Sequence, residues 1–187
     1  MPRRPGRAMV DPLRRDVLLH RGLYLLVALV LLFMKLLPLG NDPEGLPGPD
    51  LLLCVTFCWL LRRPDYLPVL LIAAVFLLED LLLMRPPGLW TALVLVGSEI
   101  LRSRIALTRE LSFPLEWLFI GLLMTAMFLG YRLAFAVTLL PQVAFGFAMA
   151  QVVASIVVYP VVVWLSKLVL GVHKPGMGEV DDMGRRL

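Results

Sequence analysis

The chain has 187 residues, of which 59% are apolar and 17% charged, where a soluble globular domain carries about 45–50% and about 25%. That composition excludes a water-soluble domain, and the net charge of +4 does not make a nucleic-acid binder, because apolar runs of membrane length separate the basic residues. At about 20 residues per crossing there is room for five to seven transmembrane helices and none for a sizeable soluble catalytic domain.

Three segments are expected: a disordered basic cytoplasmic leader at 1–16, a six-helix transmembrane domain at 17–170 and a disordered cytoplasmic tail at 171–187. The leader carries Pro2, Arg3, Arg4, Pro5 and Arg7 without apolar periodicity. The first helix runs from Val17 to about Leu39, longer than the apolar region of a signal peptide. A loop rich in glycine and proline follows, with Asp42, Glu44 and Asp50 and no basic residue. The second helix, about Pro49 to Leu61, reaches only about 20 Å against a hydrocarbon core of about 30 Å. It must start earlier, sit in thin bilayer or be shielded by its neighbours.

The third apolar run, Tyr66 to Met84, is interrupted only by Glu79 and Asp80. The fourth starts near Leu89 and reaches Leu101, extendable to about Leu107 if Arg102 and Arg104 snorkel. The fifth begins near Pro114, a favoured first-turn proline, and runs to about Gly130. The sixth extends from about Gln142 to Leu170 and contains Pro160, a kink position.

With the N-terminus inside, all 18 Lys and Arg residues except Lys35, Arg85 and Arg132 fall on the cytoplasmic side. The positive-inside rule therefore predicts that both termini are cytoplasmic. Trp59, Tyr66, Trp117 and Trp164 are expected near inner helix ends, and Trp90 and Tyr131 near outer ones. There is no internal repeat of the kind that builds inverted-repeat transporters.

Glu79 and Asp80 are the most expensive residues, since a charged group within the hydrocarbon costs on the order of 2.5–3.5 kcal/mol on the insertion scale. As neighbours on one helix they point about 100° apart. The plain reading sends Glu79 to the outer interface and has Asp80 form a structural pair or cap a neighbouring helix; the sharper one is a proton or cation site. Arg132 is the expected partner of Asp80, because Arg85 is off the favoured spacing and Lys35 can snorkel. Glu99 and Glu116 are expected to form solvated pairs with Arg102, Arg104 or Arg109.

Cys54 and Cys58 read as small packing residues, and His20 and His173 lack co-ligands at metal spacing. Catalytic signatures such as G-x-S-x-G, H-E-x-x-H and the phosphate-cradling glycine loop are absent from the sequence, so neither an enzyme nor a cofactor or metal is expected. Gly146, Ala150 and Ala154, spaced by four beside Gln151 and Ser155, form a stripe of small residues suited to close helix approach, within the chain or against another membrane protein.

One ordered set of residues carries a resemblance: Pro49-Asp50-Leu51, Trp59, Arg63-Pro64, Glu79-Asp80-Leu81-Leu82 and Pro86-Pro87-Gly88-Leu89, followed by Ala92-Leu93. Together they resemble the bacterial rod shape-determining protein MreD family, across about 45 residues in motif and the whole chain in topology. In that family the acid at Asp80 commonly follows a glycine one turn earlier, where this chain has Phe76. The resemblance implies a non-enzymatic scaffold of lateral wall elongation in the bacterial inner membrane. Its implied partners are an MreC-type bitopic periplasmic protein, an actin-like filament, and a membrane glycan polymerase with its penicillin-binding transpeptidase. It also implies a fold like the substrate-binding membrane components of energy-coupling vitamin transporters, and such a component is the alternative function. A lipid-modifying enzyme is a third reading. A scaffold predicts an apolar, tightly packed outer half; a transporter component predicts a polar outward pocket of roughly 300–1,000 Å³.

Overall fold

A computed structural model describes residues 12–37, 47–105, 112–139 and 144–170. The described residues form an all-α membrane protein of six helices: α1 (Pro12–Leu36), α2 (Leu51–Arg62), α3 (Val69–Leu82), α4 (Leu89–Ser103), α5 (Phe113–Val137) and α6 (Phe145–Leu170), with a 3₁₀ turn at Pro64–Tyr66. Three of them, α1, α5 and α6, are long and apolar enough to cross a membrane. Most of the expected leader and all of the expected tail lie outside the described residues. Of the leader, 12–16 already belong to α1, because Pro12 suits a first turn and nothing after it stops the helix.

Polar contacts fix the helix directions. Lys35, at the end of α1, meets Asp50, at the start of α2, and Glu79, near the end of α3. At the opposite end Asp16, early in α1, accepts from the Tyr66 hydroxyl at 3.0 Å, and Arg62, ending α2, pairs with Glu116, opening α5. Consecutive helices therefore run antiparallel, and the bundle has a Lys35 end and a Glu116 end.

Helix α2 is the axle. It is only 12 residues long, about 18 Å at 1.5 Å per residue. It survives because it is sheathed: Leu52 to Leu61 are buried with the exception of Val55, and α1, α4 and α6 pack around it. Of the three ways a short helix can be accommodated, shielding is the one used. Burial of all faces explains why its sequence is apolar all round rather than striped. By contrast α1, α5 and α6 turn Leu26, Phe33, Leu118, Leu122, Val157 and Leu168 outward, which suits lipid and not water.

Two boundaries differ from expectation for local reasons. Helix α3 starts at Val69, not Tyr66, since Pro64 opens the 3₁₀ turn and Pro68 lacks an N–H to continue a helix through it. Helix α5 continues to Val137, past the expected end at about Gly130 and through Tyr131 and Arg132. The Arg132 guanidinium lies 5.8 Å from the Phe128 ring and 5.1 Å from the Phe145 ring, within cation–π range.

Trp59 is also relocated. It has no exposed surface and packs against Tyr24, ring centroids 5.9 Å apart, so it belongs to the core and not to an interfacial belt. Trp117 and Trp164 remain exposed.

Candidate functional site

The Lys35 end gathers the acids that the sequence made suspicious, in an arrangement built on one lysine. The Lys35 ammonium donates to Asp50 Oδ1 at 2.9 Å and to Glu79 Oε1 at 2.6 Å. Both carboxylates are buried. The Arg85 guanidinium stands 3.9 Å from the same Glu79 oxygen. Glu79 therefore does not reach an outer interface, contrary to expectation; it turns inward to Lys35, which contacts both acids. Lys35 is not a snorkelling residue without a partner, because desolvating two carboxylates is tolerable only with a cation between them.

Asp50 does two further things. Its Oδ1 accepts from the Leu53 N–H at 3.2 Å, capping α2, and its own N–H donates to the Ser155 hydroxyl at 2.7 Å, tying α2 to α6. One aspartate thus joins α1, α2 and α6.

Asp80 solves a different problem. Its Oδ2 accepts from the N–H groups of Gly88 at 3.0 Å and Thr91 at 3.2 Å and from the Thr91 hydroxyl at 2.8 Å. The start of a helix exposes orphan N–H groups and a partial positive charge. A carboxylate from the preceding helix satisfies both, and the tight reversal this needs is supplied by Gly88 at φ 89°, a left-handed conformation that favours glycine. Asp80 forms no ion pair among the described residues. Arg132 is thus not its partner, and of the two plain alternatives, pair or cap, the cap is the one found.

Next to this cluster lies a cavity of about 270 Å³ between α2, α4, α5 and α6. Asp50, Arg85, Arg132 and Gln151 bring polar groups to its lining, and Trp90, Phe128, Tyr131, Phe135 and Phe147 line much of the rest. Trp90 and Tyr131 meet edge to face with centroids 5.6 Å apart.

The Glu116 end is built on a buried ion pair. Arg62 Nη2 lies 3.3 Å from Glu116 Oε1, with both side chains almost fully buried, and the Tyr159 hydroxyl donates to the same oxygen at 3.4 Å. Glu116 is thus buried against Arg62 and not in a solvated pair with Arg102 or Arg104, as was expected; Arg109, the third expected partner, lies outside the described residues. Glu99 does pair with Arg102, at 3.3 Å on an exposed face. In the connection between α2 and α3, Pro64 opens the turn that presents Tyr66, and burial together with the Asp16 carboxylate raises the Tyr66 phenol's pKa.

The stripe of small residues is not where helices approach most closely. A Cβ added at Gly146 would meet nothing within 4 Å, whereas one at Gly97 would meet Met127 Sδ at 2.8 Å and Phe57 at 3.3 Å, and one at Gly121 would meet Ile156 at 3.3 Å. Ala150 and Ala154 are partly exposed. Gln151 lines the cavity, and its carbonyl accepts from Ser155 at 2.8 Å. Cys54 and Cys58 are buried free thiols, and among the described residues no cluster of three or more His, Cys, Asp or Glu is placed to hold a metal ion.

Sequence reasoning missed Lys35 and the Arg62–Glu116 pair. Asp50 carried a usable signal: an aspartate immediately before an apolar run is an N-cap pattern. Lys35 carried none, since its partners lie 15 and 44 residues away.

The architecture defines an all-α membrane protein. Compared with models of known families, with curated proteins and with solved structures, the chain matches none.

Proposed function

We propose that the chain is a non-enzymatic membrane scaffold of the bacterial cell-elongation machinery, of the MreD kind. It acts in the inner membrane with both termini cytoplasmic. It links an MreC-type bitopic periplasmic protein and an actin-like filament to lateral peptidoglycan synthesis by a glycan polymerase and its transpeptidase. The observation that carries this reading is how the resembling residues are used. Asp50 caps α2 and ties it to α6, Trp59 fills the core, Pro64 opens the turn before α3, Glu79 joins α3 to α1, and Asp80 with Gly88 starts α4. Each holds one helix to another, as a rigid interaction platform requires, and the apolar faces of α1, α5 and α6 remain for lipid or membrane partners. The proposed orientation follows from charge: Arg62, Arg63, Arg102 and Arg104 belong to the Glu116 end, and Lys35, Arg85 and Arg132 to the other.

The cavity is the observation that favours the second reading, a substrate-binding component of a vitamin transporter. A scaffold was expected to have a tightly packed outer half, and the Lys35 end departs from that. Yet about 270 Å³ falls just under the range of roughly 300–1,000 Å³ typical of small-molecule pockets. Affinity capture of the tagged full-length chain from membranes in mild detergent separates the two. The scaffold reading expects a bitopic periplasmic protein and wall-synthesis enzymes; recovery of a transporter's ATPase subunits in their place would overturn it.

A further inference from the structure

We propose that the face formed by α3 and α4 is a lipid surface fitted to a locally thinned bilayer, with hydrocarbon about 10 Å shallower there than against α5 and α6. This stands whether or not the protein serves cell elongation.

Helix length sets the problem. With 25 and 26 residues, α5 and α6 are about 37 and 39 Å long at 1.5 Å per residue, enough for a hydrocarbon core of about 30 Å. With 14 and 15 residues, α3 and α4 reach only about 21 and 22 Å. Helix α2 is shorter still, but its neighbours sheath it. Helices α3 and α4 pack on each other and turn Leu70, Leu77, Leu81, Val96 and Ile100 outward, Leu70 with 83% of its surface exposed. Tilting takes up excess length and cannot make up a shortfall; a stretch that is too short is met by thinning, by snorkelling side chains or by oligomerising.

Charge at the two rims favours thinning over snorkelling. Toward the Glu116 end, Asp65 stands exposed just before α3, and the Glu99 side chain, paired with Arg102 at 3.3 Å, is 57% exposed on α4. Toward the Lys35 end, Arg85 follows α3 with its side chain 28% exposed. From Leu89 at the start of α4 to Glu99 the helix rises only about 15 Å. A core of about 30 Å centred on this face would pass both helix ends and enclose Glu99. A carboxylate in hydrocarbon is expensive, and the glutamate stem lacks the length with which Lys and Arg snorkel. Water and headgroups must therefore come to Glu99.

The surface itself favours lipid over a protein neighbour. Helices associate in membranes through small residues that let backbones approach and through polar side chains that hydrogen-bond across the contact. The outward side of α3 carries Leu70, Leu77, Leu78 and Leu81, with Ala74 as its one small residue. Such a leucine surface is as well served by acyl chains as by another helix.

The test is electron paramagnetic resonance on the full-length chain in dioleoyl phosphatidylcholine bilayers. A nitroxide is placed on one introduced cysteine at a time, and its collisions are measured with oxygen, which concentrates in hydrocarbon, and with a water-soluble nickel chelate. Cys54 and Cys58 are buried, and the wild-type chain treated with the label sets their background. The labelled positions are Leu70, Leu77 and Leu82 on α3 and Leu118, Leu122 and Leu133 on α5, all exposed. Leu77→Cys should meet mainly oxygen, while Leu70→Cys and Leu82→Cys, about 18 Å apart along α3, should show a nickel-to-oxygen ratio several-fold higher. Leu118→Cys and Leu133→Cys, about 22 Å apart along α5, should stay as rich in oxygen collisions as Leu122→Cys. Equal ratios at the three α3 positions would show a core of full depth and overturn the proposal. Poor access of both reagents to Leu77→Cys would show that a second copy of the chain covers the face, and would overturn it as well.

Discussion

The two ends of the bundle handle buried charge in opposite ways. At the Glu116 end one arginine meets one glutamate with a tyrosine hydroxyl completing the contact. At the Lys35 end one lysine serves two carboxylates, a third carboxylate caps a helix, and a cavity opens beside them. Glu79 Oε2 and Asp80 Oδ1 are left buried without hydrogen-bond partners among the described residues. A buried arginine–glutamate pair can be exchanged for apolar packing at little cost, whereas a shared cation cannot be removed without stranding more than one acid. The Glu116 end is a clasp. The Lys35 end combines structural need with unfilled space and unsatisfied carboxylate oxygens.

Lys35→Met should therefore be the most damaging change. It leaves both Asp50 and Glu79 buried without their main counter-charge, and breaking even one buried pair on one side costs about 3–5 kcal/mol. Membrane level and thermal melting in detergent are expected to fall below those of any other variant named here. If Lys35→Met melts like the wild type, the shared-cation description of this end is wrong.

Glu116→Leu comes next, since it strands Arg62 alone, at about 3–5 kcal/mol. Arg62→Met combined with Glu116→Leu is expected to recover most of that loss. The double-mutant cycle is the check: strictly additive losses would show that the two side chains do not act as a pair.

Asp80→Asn should cost less than a lost helix N-cap, which is worth about 0.5–2 kcal/mol, because the amide oxygen still accepts from the Gly88 and Thr91 N–H groups. Adding Arg132→Gln should not rescue it. Rescue would restore Arg132 as the partner of Asp80.

The smallest effect belongs to Gly146→Leu. A Cβ at Gly146 would have nothing within 4 Å and the position is exposed, so melting should stay within about 0.5 kcal/mol of the wild type. Gly97→Leu, pressed against Met127 and Phe57, is the contrast, with an overpacking cost of about 1–3 kcal/mol. Equal melting of the two would return the close helix contact to the stripe at Gly146, Ala150 and Ala154.

How far this was legible in the sequence depends on whether the signal is local. The existence and order of all six helices could be read, because apolar runs broken by Arg62-Arg63-Pro64, Arg85-Pro86-Pro87-Gly88 and similar clusters are local patterns. Boundaries were read well where a proline or glycine marks them, as before α4, and badly where an internal glycine was taken as the end, as at Gly130 in α5. The Asp80 cap was within reach, since Gly88 and Thr91 lie 8 and 11 residues further on. Partnerships spanning the bundle were not: the Glu116–Arg62 and Lys35–Glu79 pairs join helices whose mutual rotation no local pattern encodes. The stripe of small residues was misleading for the same reason, because spacing by four says that residues share a face and not which neighbour that face meets.

The central claim, that the chain serves rod elongation as a scaffold, is tested most directly by depleting it in growing cells and measuring cell width and length by microscopy. The account predicts that cells widen and round up while vitamin uptake persists. Cells that keep a normal rod shape while losing uptake of a vitamin would contradict it and establish the transporter reading.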